Sequence, residues 1–327
     1  MTIHTRRNAI ALGAIAVLGL TVQSGNAQST NYPTKPIKLV VPYAAGSGTD
    51  FVARVLQEEL QKELSVPVIV ENRAGANGTI GSDYVSKALP DGYTLLVGGS
   101  STHSAAPSLF KALPYDPDRD FEMIANVVES QFLLVVRSDS QIYSVKDLVR
   151  VISNNRDKSS YGFGSATTQI AGSSFLKRMA IIAQPIPYKS NPPAITDLIA
   201  GIVDFLFLDQ TTAIPQIKGG KVRALAVANQ QRMVELADVP TFAEAGLANF
   251  DVQTWLGILA PRGVADAVAE KLSEAIGKIM IKSSVRERLA VTGRPLPPSP
   301  RSTFPAYLKV QREAWTTKIK DSGIQPE

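Results

Sequence analysis

The sequence predicts an α/β protein of two similar lobes, and three observations carry that expectation. Strand-like and helix-like segments alternate almost throughout residues 37–260, as in layers built on largely parallel sheets. Three short runs of small polar residues each follow the end of a strand-like segment. No low-complexity linker or charge block separates the first series of segments from the second, which points to strands crossing between lobes near residues 124–134 and 250–259. At 327 residues the chain is long enough for two lobes with proper hydrophobic cores.

The first strand is expected over residues 37–41, IKLVV. The first helix follows over residues 49–64, where Val52, Val55, Leu56 and Leu60 share one face. A second strand over 66–70, a short helix over 80–89 stopped by Pro90-Asp91-Gly92, and a third strand over 93–97 complete this series. The second series begins near residues 132–137. It continues with a helix over 145–154, a strand over 160–163, a helix to about residue 179, a strand over 184–187, a helix over 194–199 and strands over 204–208 and 222–227. One more strand, residues 254–260, precedes helices over 265–280, 283–291 and 304–322. The first lobe is thus expected to comprise residues 28–127 and 255–327, and the second residues 128–254.

Arg6 and Arg7 precede an apolar run over residues 9–22, and Ser24-Gly25-Asn26-Ala27 ends in small residues. That order is a secretory signal peptide over residues 1–27, cleaved near Ala27, and its apolar run is too short for a membrane span. Cleavage removes two arginines and no acid. It lowers the net charge from +5 to +3, with 32 basic residues against 29 acidic ones. With no basic run, this balance gives no nucleic-acid footprint. The chain has no cysteine, which excludes disulfides and thiolate metal sites. Of its two histidines, His4 lies in the signal, so histidine metal sites and Ser-His-Asp chemistry both depend on His103. The expectation is an exported, periplasmic protein without metal or cofactor.

Gly46-Ser47-Gly48-Thr49-Asp50 opens like a dinucleotide fingerprint, but Phe51 stands where the third glycine belongs. No Gly-Lys-Ser or Gly-Lys-Thr of a phosphate-cradling loop occurs. Instead, loops beginning at Ala44, Gly98 and Gly164 offer backbone N–H groups, hydroxyls and helix N-termini with few formal charges, at the sheet edge where ligands bind. That suits a carboxylate. The candidate contacts in the first loop are Tyr43, Ala44, Gly46, Ser47, Gly48, Thr49 and Asp50. The second loop contributes Ser100, Ser101, Thr102 and His103, and the third Gly164, Ser165, Ala166, Thr167 and Thr168. Tyr188 and Asp209 end strands of the second series and are added as cleft-facing candidates. Asp50 reads either as a helix-dipole complement or as a ligand contact, and His103 either as a plain hydrogen-bonder or as a catalyst. No Gly-x-Ser-x-Gly elbow occurs, and Gly162-Phe163-Gly164-Ser165-Ala166 lacks the final glycine. No catalytic residue is assigned, and an exported α/β hydrolase of small esters or amides stands as the alternative.

Ordered blocks spanning residues 32–324 resemble the Bug-type extracytoplasmic solute receptors, the substrate-binding proteins of tripartite tricarboxylate transporters. They include YPTKPIKLVVPYAAGSGTD, VIVENRAGANG, ALPDGYTLLVG, PIPYKSNPPAITDL, GGKVRALAV, DVPTFAEAGL and GILAPRGV. The resemblance implies a type II periplasmic binding protein: two Rossmann-like lobes around a central ligand cleft. It further implies capture of a mono-, di- or tricarboxylate, or an aromatic acid, for delivery to the membrane components of the transporter. The carboxylate would be held mainly by backbone groups and waters in two loops, residues 43–50 and 164–169. A monomer is expected, and a sensor kinase is an alternative partner. The first loop departs from the family pattern in having alanine for its second proline and tyrosine for phenylalanine. The loop over residues 164–169 lacks a usual histidine. These changes bear on which acid is bound.

Overall fold

The five residues IKLVV form β1 (Ile37–Val41), four of them fully buried because both faces of the strand are covered. The structure, a computed structural model, describes residues 31–156 and 158–326. The expected signal peptide over residues 1–27, its cleavage near Ala27 and His4 lie outside the described residues. No helix among the described residues is long and apolar enough to cross a membrane.

After β1 the chain forms α1 (Gly48–Leu64), β2 (Val68–Asn72), α2 (Thr79–Ser86) and β3 (Thr94–Gly99). A π-helical turn, Ser100–Ala105, and the short α3 (Ala106–Leu109) lead to β4 (Phe121–Arg137). The second series is α4 (Val145–Asn154), β5 (Ser160–Phe163), α5 (Ala166–Arg178), β6 (Gln184–Pro187), α6 (Asn191–Ile199), β7 (Phe205–Asp209), α7 (Gln210–Lys218) and β8 (Val222–Val227). The chain closes with β9 (Gln253–Pro261), α8 (Asp266–Met280), α9 (Ser283–Ala290), the two-residue β10 (Arg294–Pro295) and α10 (Phe304–Ser322). Helix α6 starts earlier than the pattern predicts because Pro192 and Pro193 sit in its first turn, where a missing N–H leaves no bond unmade. Helix α7 was not expected at all: Pro215 lies inside it, and a proline ordinarily reads as a break.

The strands run in the order β2-β1-β3-β9-β4-β7-β5-β6, with β8 and β10 also pairing β4. Within each series the pairs are parallel: β1 with β2 and β3, and β5 with β6 and β7. The expectation of largely parallel sheets needs correction at the centre, where β9 is antiparallel to β3 and β4, and β4 is antiparallel to β7 and β8. The reason lies in β4, a strand of 17 residues. Its first part, through Gln131, pairs β9, and its last part, from Phe132, pairs β7 and β8. One strand thus leaves the first lobe for the second, and β9 returns antiparallel to it.

Each lobe of this type II fold has its own core. In the first, Leu39 and Val41 of β1 pack with Val52, Leu56 and Leu60 of α1 and Leu272 and Ile276 of α8. In the second, Leu134, Phe163, Ile170, Phe175, Phe205 and Phe207 form an aromatic-rich cluster. Each such side chain, fully buried, contributes roughly 1.5–3 kcal/mol. Helix α10 joins two clusters: Phe304 packs with Phe121 and Leu259 in a cluster apart from the first core, while Trp315 and Ile319 join the second-lobe cluster.

Candidate functional site

Residues 42–47 turn sharply through Gly46, whose φ of +81° is open to glycine without the strain a side chain would add. The turn ends at Ser47, whose hydroxyl caps α1 by accepting from the Asp50 amide at 3.2 Å. Behind the turn, the Asp50 carboxylate accepts from the Gly46 amide (3.0 Å), Asn72 Nδ2 (2.9 Å) and Arg54 Nε (2.9 Å). Asn72 also donates to the Tyr43 carbonyl at 3.0 Å. Burial pushes the Asp50 carboxyl up, but Arg54, the Gly46 amide and Asn72 outweigh it and hold it below its usual range. Asp50 therefore braces the loop as an anion, with its bonding capacity directed inward.

The second lobe repeats the device. Ser165 caps α5 by accepting from the Thr168 amide (3.3 Å), and Thr168 Oγ1 accepts in return from the Ser165 amide (3.1 Å). Asp209 caps α7, its Oδ1 accepting from the Thr212 amide at 3.1 Å. Asn191, the first residue of α6, donates through Nδ2 to Asp209 Oδ2 at 3.1 Å.

The N-termini of α1, α5, α6 and α7 open onto one narrow crevice between the facing loops. Among the residues predicted from sequence, Tyr43, Ser47, Gly48, Thr49, Ser100, Ser101, Gly164, Ser165, Thr167 and Asp209 line it. No lysine, arginine or histidine side chain does so among the described residues, and Asp209 is its one formal charge. The two lobes meet closely here: a Cβ built on Gly48 would lie 2.5 Å from Asp209 Oδ1.

Other predicted residues lie off the crevice wall. Asp50 is buried beneath the first turn, Ala44 and the exposed Gly46 are outside the crevice lining, and Thr168 turns its hydroxyl onto the Gly164 and Ser165 amides. Ala166 donates its amide to Ser101 Oγ at 3.0 Å. Thr102 Oγ1 accepts from the Gly99 amide at 3.2 Å and lies 2.8 Å from His103 Nδ1. The buried His103 ring stands edge-on to Phe121, with centroids 4.7 Å apart. Burial lowers its pKa to about 3, so it is neutral at ordinary pH. Tyr188 donates to Asp197 Oδ2 at 2.7 Å, and burial with that carboxylate pushes its phenol up to about 12.

Sequence reasoning missed Gly99, Ser130, Phe132, Asn191, Thr211, Thr254, Leu256 and Thr292, which also line the crevice. Asn191 carried a usable signal, since Ser190-Asn191-Pro192-Pro193 after a strand reads as a cap followed by first-turn prolines. Ser130 and Phe132 on β4, like Thr254 and Leu256 on β9, share a face by period-two alternation, which does not say which face meets a ligand. Nothing local marks Thr292, which follows α9.

The family model described as "Tripartite tricarboxylate transporter family receptor" matches residues 52–298. The chain is 34% identical over 307 residues to a protein of the tcbD-tcbE intergenic region of Pseudomonas sp. strain P51, covering 92% of this chain and 91% of that one. The solved structure of the periplasmic binding protein BugD superposes with a TM-score of 0.86 at 34% identity, covering 90% of this chain and 100% of BugD. MatC from Rhodopseudomonas palustris, solved with bound malate, gives a TM-score of 0.83 at 31% identity, covering 88% and 100%.

Proposed function

Because this chain belongs to the tripartite tricarboxylate transporter receptor family, we propose that it captures a small organic carboxylate between its lobes in the periplasm and presents it to the membrane components of such a transporter. The observation that carries this reading is the composition of the crevice: the N-termini of α1 and α5 with several hydroxyls, without a cationic side chain. A helix N-terminus favours an anion by about 0.3–2 kcal/mol, and each charge-assisted hydrogen bond adds roughly 1.5–3 kcal/mol. Four or five such bonds offset the ordering losses and leave about −8 kcal/mol, micromolar binding. MatC holding malate supports an organic acid as ligand here. The reading includes a monomer whose lobes, residues 28–127 with 255–327 and residues 128–254, rotate about the strands that join them. A ligand that bonds to both lobes shifts the population toward closure. Delivery to a sensor kinase is a second route open to the same loaded receptor.

The relatives are solute-binding proteins, and the hydrolase alternative draws no support from the site: His103 packs behind the wall rather than beside a crevice hydroxyl. The test is to heat the purified mature protein with mono-, di- and aromatic carboxylates, then recover each acid. A ligand-specific rise in melting temperature with the acid returned unchanged supports the receptor. Turnover of ester or amide analogues sinks it.

A further inference from the structure

One end of the crevice is built to accept hydrogen bonds rather than to donate them. Asp209 receives three donors, the Thr212 amide (3.1 Å), Thr212 Oγ1 (2.9 Å) and Asn191 Nδ2 (3.1 Å), and still borders the crevice. A carboxylate only accepts, so its bond to Asn191 fixes that amide with Nδ2 toward Asp209 and leaves Oδ1 the other way. Asn191 Oδ1 is buried without a partner in a residue only 9% exposed, and Asn191 lines the crevice. The buried Ser130 Oγ, which also lines the crevice, is likewise unpartnered. This acceptor end lies against the N-terminus of α1, where a Cβ on Gly48 would be 2.5 Å from Asp209 Oδ1 and 3.2 Å from Thr211 Oγ1.

We propose that the ligand carries a hydrogen-bond donor, a hydroxyl or an ammonium, within a carbon or two of its carboxylate, and that Asn191 Oδ1 and Asp209 recognise it. The inference rests on the carboxylate-receptor reading and narrows its substrate class to hydroxy and amino acids. An acid without that donor would seal Asn191 Oδ1 away from water with nothing to replace it, and a buried acceptor left unmet is a strong discriminator. A second carboxylate placed at the same end would face Asp209 with no cation to screen it.

The test is calorimetric titration of the mature protein with two matched sets: propionate, lactate and alanine; succinate, malate and aspartate. In at least one set a donor-bearing member should bind about tenfold or more tighter than its plain parent. Asn191→Ala should bring that ratio below about threefold. Preference for the amino member assigns the larger role to the Asp209 charge, and preference for the hydroxy member assigns it to Asn191. A parent that binds as tightly as its substituted members overturns the inference while leaving the receptor reading intact. No binding by any of the six, with none by adipate or benzoate, removes the receptor reading and this inference together. The wild-type ratios decide the question even if Asn191→Ala does not fold.

Discussion

The Ala166 amide donates to Ser101 Oγ at 3.0 Å, joining residues 65 apart in sequence across the two lobes. One of the otherwise free N–H groups at the start of α5 is thereby met by a hydroxyl from the other half of the molecule. Ser101→Ala leaves that amide without its acceptor in the closed arrangement, at about 1–3 kcal/mol. Ligand affinity should fall about tenfold, with little change in the melting temperature of the unliganded protein. Calorimetry checks this, and an unchanged affinity would mean the contact is irrelevant to closure.

Gly48 is the point of closest approach between the first loop and Asp209. As the first residue of α1 it does not need a glycine's left-handed freedom, and alanine is a better helix former there. Gly48→Ala should leave stability unchanged or slightly raised, because its methyl meets Asp209 only when the lobes meet. Binding should weaken by about tenfold or more, and scattering with saturating ligand should report a more open particle. A compact liganded variant of normal affinity would contradict this.

Asp50 acts one layer behind the ligand. Asp50→Asn keeps the shape but removes the charge that receives Arg54, and sets an amide donor near the donors Asn72 and Gly46. A loss of about 1–3 kcal/mol in unfolding free energy is expected. The wild-type carboxyl is held below its usual range, so its contribution is present above the unfolded value near 3.9 and is lost as pH falls through the lower folded value. Denaturant titrations at pH 3 and pH 7 should therefore show a smaller gap between variant and wild type at pH 3.

His103 sets a second pH window. Its folded pKa of about 3 lies below the ordinary 6.5, so between these values the unfolded chain binds more protons and stability falls as pH is lowered. The slope from this group reaches at most about 1.4 kcal/mol per pH unit. His103→Gln should flatten the decline between pH 6.5 and pH 4 while leaving ligand affinity at pH 7 unchanged. Parallel stability curves for the two proteins would show that His103 is not the titrating group.

Much of this architecture is legible in the residues. The spans of β1, α4, β5, β6 and β8 follow from apolar patterning bounded by turn residues, and the small-residue loops at Ala44 and Gly164 announce where helices begin. Helix α7 escapes because Pro215 lies inside it, where a proline removes an i→i−4 hydrogen bond and ordinarily reads as a break. The antiparallel centre escapes because strand direction is a property of partners distant in sequence, and β4 reads the same whichever way β9 runs beside it. In the site, residues that cap helices could be named from type and spacing. Ser130 and Thr292 could not, because they reach the crevice through the packing of strands and helices across the lobes. Asp50 and Asp209 look alike in sequence, each an acid at a helix start. Only the fold separates them: Arg54, Asn72 and Gly46 draw the first inward, and the second is left beside the crevice.

If main-chain and hydroxyl donors from both lobes clamp an organic anion, titration of the protein with its best acid and with that acid's primary amide must separate the two. The two differ in charge and little in shape. The acid should bind at least about tenfold tighter, with the preference intact in high salt because the donors are fixed and largely shielded. Equal affinity for acid and amide would contradict it.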